Sequence, residues 1–218
     1  MLIEAQDISV AIGGRLVLDS ESVRCKPGIM TALVGASGSG KTTLLHCLGL
    51  LLPVDKGSIL LDENDVTRYG TSARRRFWRD HAHFVLQDYG IMDDESVAFN
   101  VTMQASIIGR VVSGNKERLK QSLEQTGLKG RENELAGHLS GGEKQRLALS
   151  RAIYKDANIL FVDEPTASLD ATNRRMVIEL LANFAVRGRT VIVSTHDSEM
   201  IDACGAIHQV GSEARHMN

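Results

Sequence analysis

Gly35-Ala36-Ser37-Gly38-Ser39-Gly40-Lys41-Thr42 is the stretch on which the reading of this chain turns. It obeys G-x-x-x-x-G-K-[ST] and has the setting that pattern requires: Met30 to Val34 before it reads as a buried strand, and a helix is expected from Lys41. Glycines let the backbone bend until successive N–H groups face phosphate oxygens, and the following helix adds its positive end at the same point. Lys41 is placed for the β- and γ-phosphates, and the Thr42 hydroxyl for Mg²⁺. Gly35, Ser37, Gly38, Ser39, Gly40 and Thr43 complete the expected nucleotide contacts. Alone, the motif implies a bound nucleoside triphosphate and nothing narrower, since kinases, GTPases and motors share it.

The flanking sequence gives an α/β pattern. Leu2 to Val23 reads as short alternating strands around the turn Gly13-Gly14, Ser58 to Leu61 as a strand, Ser72 to Arg79 as a short basic helix, and Phe84 to Leu86 as a strand ending at Gln87. From Asp88 to Asp156 the pattern is helical with no convincing strand. Ile159 to Val162 and Thr190 to Ser194 are apolar runs. Between them Met176, Val177, Leu180, Leu181 and Phe184 recur at helical spacing and should face a sheet. Strands alternating with helices predict an α/β sheet, and the strandless middle predicts an inserted helical lobe over about residues 88–156. Only the tail Gly211 to Asn218 reads as disordered.

Composition narrows the partners. With 218 residues, one domain is expected. A net charge of −2 gives no reason to expect a nucleic-acid partner, and Arg74-Arg75-Arg76 with Arg79 reads as a solvated helix face. Cys25, Cys47 and Cys204 are odd in number and in no metal-like spacing, which fits a reducing compartment. The N-terminus lacks the basic start and apolar stretch of a signal peptide, and no apolar run approaches the roughly 20 residues that span a bilayer. Any membrane role is expected to come through another polypeptide.

Two acids follow the run Ile159-Leu160-Phe161-Val162: Asp163 and Glu164. At the edge of an α/β sheet, where ligands bind, Asp163 would hold the Mg²⁺ shell. Glu164 points elsewhere and would polarise the attacking water. His196 follows the next apolar run; read alone it is either structural or a ring that reaches the γ-phosphate or orients the water. Leu139-Ser140-Gly141-Gly142-Glu143-Lys144-Gln145 precedes a further helical stretch, whose start would offer glycine amides and a serine hydroxyl as a second anion site.

These motifs together resemble the ATP-binding cassette family. The resemblance runs from Ile3 to about His196 in the family's order: the phosphate loop, Gln87, the signature at Leu139 to Gln145, Asp163-Glu164, Ser168-Leu169-Asp170, then His196. It implies a nucleotide-hydrolysing core with an antiparallel β subdomain and an inserted helical subdomain, with ATP and Mg²⁺ as ligands. It also implies head-to-tail homodimers on ATP binding, in which the signature of one subunit closes on the ATP of the other. Gln87 would then sense Mg²⁺ and the water, Ser140, Gly141 and Gly142 would bind the γ-phosphate in trans, Asp170 would cross the interface, and His196 would be the switch histidine. The implied partner is a transmembrane permease, with the chain at the cytoplasmic face of the membrane.

Thr43 to Leu52 and Tyr89 to Val101 resemble the branch of macrolide-efflux, lipoprotein-release and bacteriocin-export ATPases, with a signalling cell-division ATPase as its neighbour. Chromosome-type cassettes separate the phosphate loop from the signature by a long coiled coil, and no sustained heptads lie between Lys41 and Ser140. Ribosome-type members usually carry two cassettes, and this chain has one. A catalytically dead cassette is argued against by Lys41, Gln87, Glu164 and His196.

The chain departs from the family at Ile12, where an aromatic ring usually stacks on adenine; Ser198 also stands where a proline is frequent. Isoleucine covers one face of the base but has no π-system. Base stacking on an aromatic ring is worth roughly 1–3 kcal/mol, so a shortfall on the order of 1 kcal/mol is expected. Ile12→Tyr should therefore bind ATP several-fold more tightly than the parent, with little discrimination of ATP from GTP in the parent. Titration of both proteins with both nucleotides checks this, and unchanged affinity would show that Ile12 does not lie against the base.

Overall fold

The computed structural model describes residues 1–86, 90–104 and 114–211. Two sheets carry the architecture. The first is antiparallel, ordered β2-β1-β4-β5, from β1 (Ile3–Ile12), β2 (Arg15–Cys25), β4 (Lys56–Leu61) and β5 (Asn64–Asp65). The second is parallel, ordered β6-β7-β8-β3-β9, from β3 (Met30–Val34), β6 (Ala82–Val85), β7 (Ile159–Asp163), β8 (Thr190–Ser194) and β9 (Ala206–Gln209). The helices are α1 (Lys41–Leu48), α2 (Thr71–Asp80), α3 (Val97–Thr102), α4 (Lys116–Gln125), α5 (Gly141–Lys155), α6 (Ala171–Val186) and α7 (Ser198–Asp202).

Local chemistry explains the main elements. β1 and β2 meet through a two-residue turn in which Gly13 and Gly14 both have positive φ, 58° and 79°, as a primed hairpin turn demands. β7 and β8 are buried at every residue because the parallel sheet is covered on both faces, so they read as unbroken apolar runs. One core joins Ile8, Val10 and Leu18 of the antiparallel sheet to Leu44, Leu45 and Leu48 of α1 and to Phe161, whose ring stacks on Phe84 at 4.8 Å. Helix α1 is thereby held by the cores of both sheets, each buried leucine contributing about 1.5–3 kcal/mol. A second core sets Val177, Leu181 and Phe184 of α6 and Ala148, Leu149 and Ala152 of α5 with Leu160, Val162, Val191 and Val193 of the sheet.

The third cluster, Val97, Val101, Leu119, Leu123 and Leu147, unites α3, α4 and α5 in the helical lobe that the strandless middle predicted. Arg151 on α5 pins this lobe, donating to the carbonyls of Gly90 and Asn100 and to Asn100 Oδ1. Asn100, fully buried, in turn bonds the N–H and carbonyl of Met92. The segment that begins at Gly90 is thus fastened to the C-terminal half of α5.

Several expectations shift. β6 ends at Val85, and Leu86, read as strand, is 38% exposed. Met176 lies on the flank of α6 that meets α5, within 3.5 Å of Arg146, whereas Val177, Leu181 and Phe184 do face the sheet core. β5, α7 and β9 had no clear sequence signal: two are short, and β9 alternates half-buried with exposed residues at the sheet edge. Gly211, read as the start of a disordered tail, is fixed by a 2.6 Å bond from its N–H to Glu21 Oε1. Gln87 and residues 212–218 lie outside the described residues.

Candidate active site

Strand register assembles the site before any side chain is considered. Asp163 is level with Ser194, Ser194 with Leu33, and Val34 with Gln209, so the carboxyl ends of β7, β8 and β3 share one edge. The phosphate loop leaves that edge after Val34, in the position where open α/β sheets bind ligands.

Three glycines shape the loop. Gly35 has φ 152°, and a Cβ there would lie 2.6 Å from Ser39 Oγ and 3.0 Å from the Val210 carbonyl. Gly40, φ 98°, caps α1, and its Cβ would strike Leu18 at 2.7 Å. Gly38, φ 76°, has nothing within 4 Å of a Cβ among the described residues. Lys41 Nζ bridges the loop, donating to the carbonyls of Gly35 and Ala36 at 2.9 and 3.2 Å. Ser39 Oγ is buried without a hydrogen-bond partner among the described residues. An open glycine, a spanning ammonium and an unpaired buried hydroxyl are what a phosphate chain would satisfy.

Behind the loop, Asp163 Oδ1 accepts from the Thr42 hydroxyl at 3.2 Å and from the Ser194 hydroxyl. Asp163 is buried at 8% exposure, and among the described residues no group of three or more His, Cys, Asp or Glu side chains is arranged to hold a metal. One carboxylate beside a hydroxyl suits Mg²⁺, which is usually held by one or two carboxylates and the substrate's phosphates. Glu164 turns away from Asp163 because its φ is 47°, a left-handed conformation costing on the order of 1–3 kcal/mol. Its N–H donates to the Ser194 carbonyl at 3.0 Å. His196 Nδ1 lies 3.0 Å from Glu164 Oε2 without hydrogen-bond alignment, so among the described residues Oε2 is a buried acceptor with no hydrogen bond. The imidazole itself is 72% exposed at the rim.

The second anion site takes a different form from the free one expected. Ser140 caps α5 in a reciprocal box: Glu143 Oε2 accepts from the Ser140 N–H at 2.8 Å and from its hydroxyl at 2.9 Å. A carboxylate of the same chain therefore stands at this helix N-terminus, steadied by Arg131, and the Ser140 N–H holds its pKa below the usual range. None of these bonds reaches the phosphate loop. Gly141 is open, whereas a Cβ on Gly142 would lie 2.5 Å from Asn173 Cγ. Asn173 is held by Arg146 and by Asp170, which caps α6. The Asn173 N–H and side chain together lower the Asp170 pKa.

The structure thus brings Gly35 to Thr42, Asp163, Glu164 and His196 together, and sets Ser140, Gly141, Gly142 and Asp170 in another group at the N-termini of α5 and α6. Ile12 ends β1 at 50% exposure, paired with Arg15 in the hairpin whose later residues Val17 and Leu18 touch Gly40. Gln87 falls outside the described residues. Sequence reasoning passed over Ser194, the last residue of an apolar run, and Asn173, three residues after Asp170. Both carried readable signals, a hydroxyl at a strand's carboxyl end and an i, i+3 cap.

Comparison with known proteins agrees with this geometry. Residues 18–167 match the ABC transporter family model, and the chain belongs to that family. It is 35% identical over 196 residues to an uncharacterised ABC transporter ATP-binding protein of Mycobacterium tuberculosis, covering 89% of this chain and 59% of that protein. It therefore spans about three fifths of that relative. It is 37% identical to the lipoprotein-releasing system ATP-binding protein LolD of Hyphomonas neptunium, over 86% of this chain and 82% of that one. A bacterial ABC transporter cassette solved as a dimer superposes with a TM-score of 0.82 at 25% identity, covering 95% and 94% of the two chains. The same cassette has been solved bound to ADP and Pi.

The contrast between neighbouring glycines is testable. Gly142→Ala must displace Asn173 from Asp170 and Arg146, and should lower stability by about 1–3 kcal/mol. Gly141→Ala meets open space and should stay within about 0.5 kcal/mol of the parent. Urea unfolding of the two variants measures this; equal midpoints would contradict the packing described.

Proposed function

We propose that the chain binds and hydrolyses ATP with Mg²⁺ as a single cassette over residues 1–218, its helical lobe at about 88–156, and that it drives a separate transmembrane permease from the cytoplasmic face of the membrane. The observation that carries this reading is a pair of separate groups: a phosphate loop around Lys41, joined to Asp163 through Thr42, and a signature corner at Ser140 whose N–H and hydroxyl bonds among the described residues go to Glu143. In this reading a nucleotide held at Lys41 is closed by the signature of a second copy. Two copies arranged head to tail would bring the two groups together, and the cassette solved as a dimer at 25% identity supports the pairing of two copies. Among the described residues no helix is long and apolar enough to cross a membrane. The likeness to LolD supports export or extrusion as the work performed.

In this reading the amides of Gly35 to Thr43, with Ser37 and Ser39, cradle the phosphates, and Lys41 moves from the loop carbonyls to phosphate oxygens. Mg²⁺ would neutralise the β- and γ-phosphate charge, held by the Thr42 hydroxyl, Asp163 and Gln87. Ser194 keeps the Asp163 carboxylate in place. Glu164, whose Oε2 has no hydrogen bond among the described residues, accepts the proton of the attacking water, while His196, 3.0 Å away, reaches the γ-phosphate or orients the water. Ser140, Gly141 and Gly142 of the partner subunit's signature would complete the γ-phosphate shell, which requires Ser140 to exchange its bond to Glu143 for the phosphate. Asp170 would cross the interface.

Glu164→Gln removes the base while keeping the shape of the turn. It should bind ATP, lose about 10²–10⁴ in turnover and accumulate as an ATP-bound dimer. Phosphate release with gel filtration in ATP reads both effects. A variant that stayed monomeric and turned over at the parental rate would overturn the assignment.

A further inference from the structure

The phosphate loop is gripped from outside by the end of β9, and the grip depends on one buried carboxylate. Gly35 lies so close to the Val210 carbonyl that a Cβ would be 3.0 Å from it, and a Cβ on Gly211 would lie 3.4 Å from the Ser39 carbonyl. Val210 and Gly211 therefore form one wall of the loop. The opposite wall is β2, where Leu18 and the Val17 carbonyl lie 2.7 and 3.1 Å from the position of a Gly40 Cβ. The two walls belong to different sheets, and β9 is an edge strand paired only with β3. Glu21, three residues along β2 from Leu18, spans them. Its Oε1 accepts the Gly211 N–H at 2.6 Å and its Oε2 lies 3.0 Å from His208 Nε2 on β9. The Glu21 side chain is only 10% exposed. Burial pushes its carboxyl pKa up, but His208 and the Gly211 N–H together carry it below the usual value, so the bonds are made to the anion.

We propose that Glu21 is a positioning residue for nucleotide binding: by tying Gly211 and His208 to β2 it closes a brace around the phosphate loop, holding the backbone of Gly35 and Ser39 in place. β2 then contacts the loop twice, directly through Val17 and Leu18 and indirectly through Glu21 and the end of β9. A loop whose amides must all point at one phosphate chain gains affinity from such pre-organisation, because less ordering is left for the moment of binding. Glu21 touches no phosphate and takes no part in the proton transfer assigned to Glu164. Its effect belongs in affinity and not in turnover.

The inference rests on the ATPase reading, and the experiment keeps the two apart. ATP affinity of the full chain is measured by titration with a fluorescent ATP analogue, alongside KM, kcat and the melting temperature, for the parent, Glu21→Ala, Glu21→Gln and His208→Ala. Glu21→Ala should weaken binding about fivefold or more and raise KM in step, with kcat at saturation unchanged, since the lost bond is charge-assisted. Glu21→Gln, whose amide oxygen can still accept the Gly211 N–H, should recover most of that affinity, and His208→Ala should fall between. If Glu21→Ala does not fold, the order of the other two against the parent decides the matter. Parental affinity in every folded variant, or a loss confined to melting temperature or to kcat, would overturn the brace. A parent that bound no ATP would instead overturn the functional reading beneath it.

Discussion

The Asp163 carboxylate is the constraint on which this site depends. It ends a strand buried at every residue, and it takes hydroxyl donors from Thr42 on α1 and Ser194 on β8. A buried carboxylate costs several kcal/mol unless it is hydrogen-bonded, and these two hydroxyls fix its direction. Through Thr42 it also fixes the first turn of α1, and so the loop that precedes it. Asp163 and the phosphate loop are one structure because they share this node.

The sheet makes the node possible. Parallel strands place their carboxyl ends together, and the register that levels Asp163 with Ser194 and Leu33 leaves little for side-chain adjustment to do. Helix α1 is held between the cores of both sheets, so the antiparallel sheet belongs to the nucleotide site mechanically even though it supplies no catalytic group. The helical lobe is different. It has its own core, meets the sheets through α5, and presents a helix N-terminus already balanced by Glu143. A signature that is satisfied alone and usable in trans requires a small exchange of partners on closure, not the creation of a bare anion hole.

Much of this was readable from the chain. Lys41, Thr42, Asp163 and Glu164 sit in motifs whose spacing is set by the chemistry, and apolar runs announced β3, β7 and β8. What escaped was decided by tertiary contact. β9 alternates half-buried and exposed residues on an edge, and Gly211 looks like tail until Glu21, distant in sequence, is found holding its amide. Met176 fits the helical repeat that faces the sheet, but its position on the flank gives it to Arg146. The reciprocal bond between Ser140 and Glu143 was present as an S-x-x-E pattern, hidden because the same residues also spell a signature.

The central claim is that each working site is built from Lys41 of one copy and Ser140 of another. A Lys41→Ala chain mixed with a Ser140→Arg chain gives mixed dimers in which one site collects both defects and the other collects none. Single-turnover phosphate release, which a lone intact site can perform, is the direct measurement. Each variant alone should be inactive, and mixing should restore release in proportion to the mixed dimer. No release at any mixing ratio, with the mixed dimer shown to form, would contradict the shared site.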